Sequence, residues 1–257
     1  MPQRRRMLRR HLRRVVGPDR SEAELDALVA SGFSSYGRYW LESFRVPGRT
    51  FAELDAELTN EGVDHILEAR RRGTGAIMAL PHLGGWDFGG AWLALKGHPV
   101  TVVVERLDPP ELFEWFKDLR LKMGMNVVAA DDGAGPAVLK ALKQNHIVAL
   151  VSDRDLAGTG PEVDFFGERT TLPGGPALLA LRSGAPLLPL AIYFSADGGH
   201  HGVVGPPLDL TRLGPRLSDD VQRITQVLAV ELEALIRRAP DQWHLLQPNW
   251  PSDLEAG

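Results

Sequence analysis

Apolar residues recur along this chain with two different periods, and the change falls near residue 75. Before it the spacing is helical. In QRRRMLRRHLRR and the two valines after it, Leu8, Leu12, Val15 and Val16 fall on one face of a helix, flanked by Arg4, Arg5, Arg6, Arg9, Arg10, Arg13 and Arg14. SEAELDALVASG opens with Ser21 and Glu24 in a capping-box pattern and stops at a glycine. TFAELDAEL begins at Thr50, a natural N-cap, and GVDHILEARRRG carries Val63, Ile66 and Leu67 on one side.

After residue 75, short apolar runs alternate with helical segments. GAIMALP, PVTVVVE, NVVAA, HIVALVSD and PLLPLAIYF read as buried strands, being short, apolar or β-branched, and bounded by Pro, Gly or polar residues. WDFGGAWLALKG, PPELFEWFKDLRLKMG, GPAVLKALKQN and GGPALLALRSG read as the helices between them, and PEVDFFGE as a short edge strand. SDDVQRITQVLAVELEALIRRAP is the longest helix, with arginines in its last turn. This alternation predicts an α/β fold: an αβα sandwich with a mostly parallel central sheet and additional N-terminal helices. No linker, repeat or low-complexity stretch interrupts it. The expectation is therefore one domain over 1–257, with a helical part at 1–74 and an α/β core at 75–257.

Composition narrows the chemistry. The chain has no Cys, which removes disulfides, thiolate metal sites and a Cys nucleophile. No apolar run approaches the ~20 residues of a membrane span, and no signal peptide is visible. The formal net charge of −4 conceals the Arg-rich start. That segment suggests adsorption to an anionic membrane, against the plainer reading of a helix packed on the domain. Nucleic acid is disfavoured because the rest of the chain is acidic and no binding motif appears. There is no Gly-x-Ser-x-Gly elbow, no phosphate loop and no dinucleotide fingerprint. His200 and His201 are adjacent, so a strand would point them to opposite faces and no shared metal is expected.

Candidate chemistry gathers at the strand ends. PHLGGWDFGG places His82 just past the first core strand and Asp87 in the first turn of the next helix. With 8 His and 33 acids in 257 residues, about one such spacing arises by accident, so its context decides. The context is the carboxyl end of a parallel sheet, where ligands bind. Asp87 could fold back to hold one imidazole nitrogen while the other faces the cleft as a base; equally, it could be an acid that favours the helix dipole. Glu105 and Arg106 follow the second strand, and Asp153, Arg154 and Asp155 the fourth. Three polar clusters at successive strand ends suggest one site.

The motifs PHLGGWDFGG, VSDRDL and EVDFFGERTTLPGGPALLALRSGAP, in this order, resemble the bacterial lipid A biosynthesis (lauroyl/myristoyl) acyltransferase superfamily. Within it, VVVERL, DRDLAGTGPEVDFFGE, LPGGPALLALRSGAPLLP and the closing DQWHLLQPNW look most like the phosphatidylinositol mannoside acyltransferases. The resemblance runs from about residue 10 to the C-terminus. It implies a glycerol-3-phosphate acyltransferase-like sandwich and an acyl-CoA-dependent O-acyltransferase, peripheral on the cytoplasmic face of the bacterial plasma membrane. It implies His82 as general base, Asp87 as its orienter, Glu105 as an active-site acid and Arg120 as a basic residue there, with Glu162 a further cleft acid. Arg106, Arg120 and Arg154 would meet CoA phosphates, Asp153 would bind substrate, and the backbone N–H groups near Gly85 or Trp86 would hold the oxyanion. No metal or resident cofactor is implied; the partners are acyl-CoA, a glycolipid acceptor and an anionic membrane surface. Members of the superfamily usually carry a further apolar N-terminal helix; either the start of this sequence is truncated, or docking rests on the basic helix alone. Two other readings stand beside this one: a lipid A-type or lysophospholipid acyltransferase, and an inactive lipid-binding protein.

Overall fold

The computed structural model describes residues 2–106 and 108–254. Four helices and one strand come first: α1 (Pro2–Val16), α2 (Glu22–Arg45), α3 (Phe51–Asp55), β1 (Leu58–Glu61) and α4 (Val63–Arg72). Then β2 (Ala76–Leu80), α5 (Trp86–Leu95), β3 (Val100–Val104), α6 (Pro110–Lys122), β4 (Asn126–Ala129), α7 (Ala134–Lys143) and β5 (Ile147–Val151) alternate. A hairpin, β6 (Glu162–Phe165) and β7 (Glu168–Thr171), precedes α8 (Gly175–Ser183), β8 (Leu187–Phe194), β9 (His200–Val204), α9 (Leu217–Arg238) and the short α10 (Pro251–Leu254).

The strands form a seven-stranded sheet in the order β1-β9-β8-β2-β5-β3-β4. Every neighbouring pair is parallel except β8 with β9. This is the mixed α/β architecture expected from the alternation. β2 and β8 are buried at every position, as strands covered on both faces must be. One apolar layer lies between the sheet and α7, α8 and α9, around Val138, Ala180, Leu228 and Leu232. The other lies against α4, α5 and α6, around Ile66, Phe88, Trp92 and Leu119.

Two strands of the seven-stranded sheet escaped the sequence reading, as did β7, the second strand of the hairpin. β1 is LTNE, which has no apolar alternation, and it pairs with β9 at the sheet edge, from Leu58 opposite His200 to Glu61 opposite Val203. Its pairing is set by the partner's backbone rather than by a buried face of its own. β9 begins with two histidines, and the sheet turns them apart as alternation requires: His200 is buried against Glu42, while His201 meets Thr59.

The basic helix is used differently from the membrane expectation. Its stripe of Leu8, Leu12 and Val15 is buried, and Leu8 and Leu12 pack on Leu25, Val29 and Leu246. Arg5 and Arg9 pair with Asp26, Arg9 and Arg13 with Glu22, Arg10 with Asp253, and Arg14 with Glu168 and Asp253. The apolar face is therefore used inside the protein, and five of the seven arginines are paired with carboxylates of the same chain, several of them at the surface.

Candidate active site

The parallel register of β2 and β5 sets up the site. Leu80 lies opposite Val151, and the ladder runs one step further, Ser152 N–H donating to the Leu80 carbonyl at 2.8 Å. His82 and Asp153 lie two residues past that register pair, so they emerge side by side at the carboxyl end of the sheet although 71 positions separate them. His82 Nδ1–H donates to Asp153 Oδ1 at 2.7 Å, and the His82 backbone N–H donates to Oδ2 at 3.0 Å. The imidazole is half-buried, which leaves Nε2 to the open side. Asp153 is completely buried. Burial alone would raise its pKa, but His82 beside it and the N–H donors of Trp243 and His82 outweigh that and hold it below the usual carboxylate range. It is thus an ionised partner that fixes which imidazole nitrogen carries the proton.

The turn after His82 leaves no room for side chains. Gly84 adopts φ +61°, and a Cβ there would come within 1.9 Å of the Ile192 carbonyl. Gly84 N–H donates to the Gln242 carbonyl and Gly85 N–H to that of Ile192, both at 2.9 Å. Gly85 is therefore engaged, and the unsatisfied N–H groups that could face an oxyanion are those of the first turn of α5, from Trp86 onward. The segment around Trp243 closes the turn from the other side, His244 N–H donating to the His82 carbonyl at 2.7 Å.

The expected hydrogen bond between Asp87 and His82 is absent. Asp87 instead receives a bidentate fork from Arg120, Nε to Oδ1 at 3.0 Å and Nη2 to Oδ2 at 3.1 Å, together with the Tyr39 hydroxyl at 2.8 Å. The reason is directional: Asp87 starts a helix that runs back along the sheet, and its carboxylate meets the long side chain from α6 before it can meet the imidazole. Arg120 is mostly buried. Burial would ease its proton off, but Asp87 and Tyr39 hold the charge on, and its pKa is raised. Burial, with the neighbouring Asp87 charge, pushes the Tyr39 hydroxyl well above its ordinary range. Trp86 links the two clusters, its ring stacking on Tyr39 at 4.0 Å between centroids and standing edge-on to His82 at 5.8 Å.

The remaining sequence candidates divide. Glu105 and Arg154 face each other across the strand ends, Oε2 to Nη1 at 3.8 Å, with Glu105 half-exposed. Arg106 makes an exposed pair with Asp131. Glu162 is in the β6–β7 hairpin, 3.5 Å from Arg169, and lines a cleft of about 390 Å³ with Asp155, Asn249 and Leu254; His82 is not among that cleft's lining residues. Arg120 is locked to Asp87 rather than open for phosphate. The sequence reading passed over Tyr39, and it met Trp243 and His244 only within the motif DQWHLLQPNW, without a role for either. Burial and the nearby His82 push His244 down to about 3, so it is a neutral neighbour, with Nε2 bonded to Ser35 Oγ at 2.8 Å.

Along almost its whole length the chain is similar to known acyltransferases. The family model for bacterial lipid A biosynthesis acyltransferases matches residues 1–252. The chain is 40% identical over 250 residues to the phosphatidylinositol mannoside acyltransferase of Mycolicibacterium smegmatis, covering 96% of this chain and 80% of that protein. It is 42% identical over 252 residues to the Mycobacterium tuberculosis protein of the same name, covering 96% and 77%. It is 26% identical over 254 residues to the lipid A biosynthesis myristoyltransferase of Escherichia coli, covering 93% and 74%.

Proposed function

Since the chain belongs to the bacterial lipid A biosynthesis acyltransferase family and is therefore an acyltransferase, we propose that it moves a fatty acyl group, palmitoyl in the first instance, from acyl-CoA to a mannose hydroxyl of a phosphatidylinositol mannoside. The observation that carries the mechanism is the His82–Asp153 pair at the carboxyl end of the sheet. His82 Nε2 takes the proton of the acceptor hydroxyl as its oxygen attacks the thioester carbonyl. Asp153 stabilises the imidazolium that forms. First-turn N–H groups of α5 hold the oxyanion. The tetrahedral adduct collapses, the C–S bond breaks, and the proton on His82 passes to the departing thiolate. Arg154, next to Asp153 in the chain, offers a cation for a CoA phosphate, and Glu105, 3.8 Å from it, can accept a hydrogen bond from a sugar hydroxyl. The acceptor choice follows the relatives' names; the chemistry is equally open to another lipid hydroxyl.

The same reading places the protein on a membrane, on its cytoplasmic side, where acyl-CoA is available. Among the described residues no helix is long and apolar enough to cross a membrane. The junction of α2 and α6 exposes Phe44 and Trp115 side by side, with Leu41 and Leu112 exposed on the same helices. Aromatic rings run inward from it: Phe44 meets Trp115 at 5.5 Å, Trp40 meets Phe116 at 5.4 Å, and Trp40 meets Tyr39, which stacks on Trp86. This path joins the exposed face to His82, which suits an acceptor drawn from a bilayer. It replaces α1 as the contact.

The test is to incubate the protein with palmitoyl-CoA and phosphatidylinositol mannoside vesicles and follow the lipids by mass spectrometry. A mass gain of one acyl chain on the mannoside supports the proposal. Acylation of a lysophospholipid or lipid A precursor instead refutes the acceptor; binding without transfer leaves a lipid-binding protein. Phe44→Ser with Trp115→Ser should weaken vesicle binding more than replacing Arg4 and Arg6 by Gln; the reverse order returns the contact to α1.

A further inference from the structure

We propose that Trp243 is a positioning residue for the reaction, fixing Asp153 so that one carboxylate oxygen is reserved for His82. The inference rests on the proposed function only for its kinetic arm. Oδ1 of Asp153 takes His82 Nδ1–H, while Oδ2 takes two donors, the His82 backbone N–H at 3.0 Å and the Trp243 indole Nε1–H at 2.7 Å. A carboxylate can exchange its oxygens by turning about its last bond, and a buried one turns unless donors hold it. The indole is the shorter of the two Oδ2 contacts, and the only one made by a side chain among the described residues.

That indole cannot move aside. Trp243 is fully buried. Its ring lies 5.6 Å from His11, 5.7 Å from Phe166 and 6.4 Å from Trp250. Its backbone bridges antiparallel to Leu83, and the residues on either side bond the same turn: the Gln242 carbonyl accepts from Gly84, and His244 donates to His82. One short segment therefore sets both the backbone of the base and the side chain of its partner. Asn249 adds a third hold, Nδ2 donating to the Asp153 carbonyl at 3.0 Å. The helix that first suggested a membrane anchor braces this segment. His11 Nδ1 meets the Leu245 carbonyl at 3.0 Å, its Nε2 meets Asp253 at 3.1 Å, and the Arg14 guanidinium lies 4.2 Å over Trp250.

The variant must remove the N–H and keep the shape. Trp243→Phe shortens the ring, so a second variant carries benzothienyl-alanine at 243, with sulfur in place of the indole N–H. Both are expected to lower kcat roughly ten- to a hundredfold, the value of a hydrogen bond to a charged group, with KM for palmitoyl-CoA within about twofold because the indole touches no substrate. The loss should vanish in an Asp153→Asn background, since the effect passes through that carboxylate. Independently of any acceptor, the proton NMR signal of His82 Nδ1–H should shift or broaden in the benzothienyl variant at unchanged melting temperature. If the wild type shows no transfer, the functional reading fails and this signal alone decides the inference. An unmoved Nδ1–H signal, or an equal loss of kcat in the wild-type and Asp153→Asn backgrounds, reduces Trp243 to packing and overturns the proposal.

Discussion

Asp87 and Asp153 flank His82, one at the start of α5 and the other just past the end of β5. Both are buried, at 4% and 0% exposure. Their partners differ in kind. Asp87 is matched by Arg120, whose charge is permanent, and capped by Tyr39. Asp153 is matched by His82, whose charge comes and goes with a proton, and is held by N–H donors. A carboxylate locked to a guanidinium is neutralised at all times and can contribute shape. A carboxylate paired with an imidazole is compensated only when the imidazole is charged, which is the moment of proton abstraction. Of the two, only the Asp153 end can respond to the reaction.

The largest effect should therefore come from the Asp153 end. His82→Ala is expected to lower acyl transfer about 10²–10⁴-fold, and Asp153→Asn to approach it, since the amide can hold the wrong imidazole tautomer. Steady-state rates and thermal unfolding, measured together, check this. Asp87→Asn with a larger loss of kcat than Asp153→Asn, at equal folding, would reverse the comparison.

The Asp87 end should appear mainly in stability. Asp87→Asn leaves Arg120 charged and mostly buried, at a cost of about 3–5 kcal/mol. For a chain of this size each kcal/mol is worth about 2–4 °C of Tm. Adding Arg120→Met should restore much of that loss, because the stranded charge is then gone. A double variant no more stable than Asp87→Asn alone would mean that the pair does more than neutralise itself. Tyr39→Phe removes one hydrogen bond to the same carboxylate and should cost less, about 1.5–3 kcal/mol. Its turnover should stay close to wild type in urea-unfolding-matched preparations, since Trp86 keeps its stacking partner.

These two ends also show what could be read from the chain. The strands β2, β3, β4, β5 and β8 were visible as short apolar or β-branched runs, and β2 and β8 are covered on both faces. The position of His82 followed, since a strand ending at Pro81 must deliver the next residue to the sheet's carboxyl edge. The partner did not follow. Asp87 is five residues away and looked sufficient, whereas Asp153 is 71 away and is brought in by the pairing of Leu80 with Val151. Sheet order and register are tertiary facts, absent from local periodicity. The arginines of α1 repeat the lesson. Their amphipathic stripe was legible, but Glu22, Asp26, Glu168 and Asp253, which consume the charge, are scattered over the chain. Tyr39 and Trp243 are buried aromatics, and each also carries one polar atom that finds a buried carboxylate, a pairing no local pattern announces.

The smallest effect is in acid, and it isolates the Asp153 end. This carboxylate is held below its ordinary range when folded, against burial, by His82 and its N–H donors. In the unfolded chain it returns to about 3.9. Between those values the unfolded state binds more protons than the folded one, so stability rises with pH. The contribution is complete above the unfolded value and is lost as pH falls through the folded one. Asp153→Asn has no such group. The stability gap between wild type and Asp153→Asn should therefore narrow on going from about pH 6 to about pH 3. Urea midpoints for both proteins across that range measure it. Asp253 and Asp220, also held low, are common to both proteins and cancel in the difference. A gap that stays constant to the acid limit would show that His82 and Trp243 do not hold Asp153 ionised, and the contrast with Asp87 would lose its electrostatic basis.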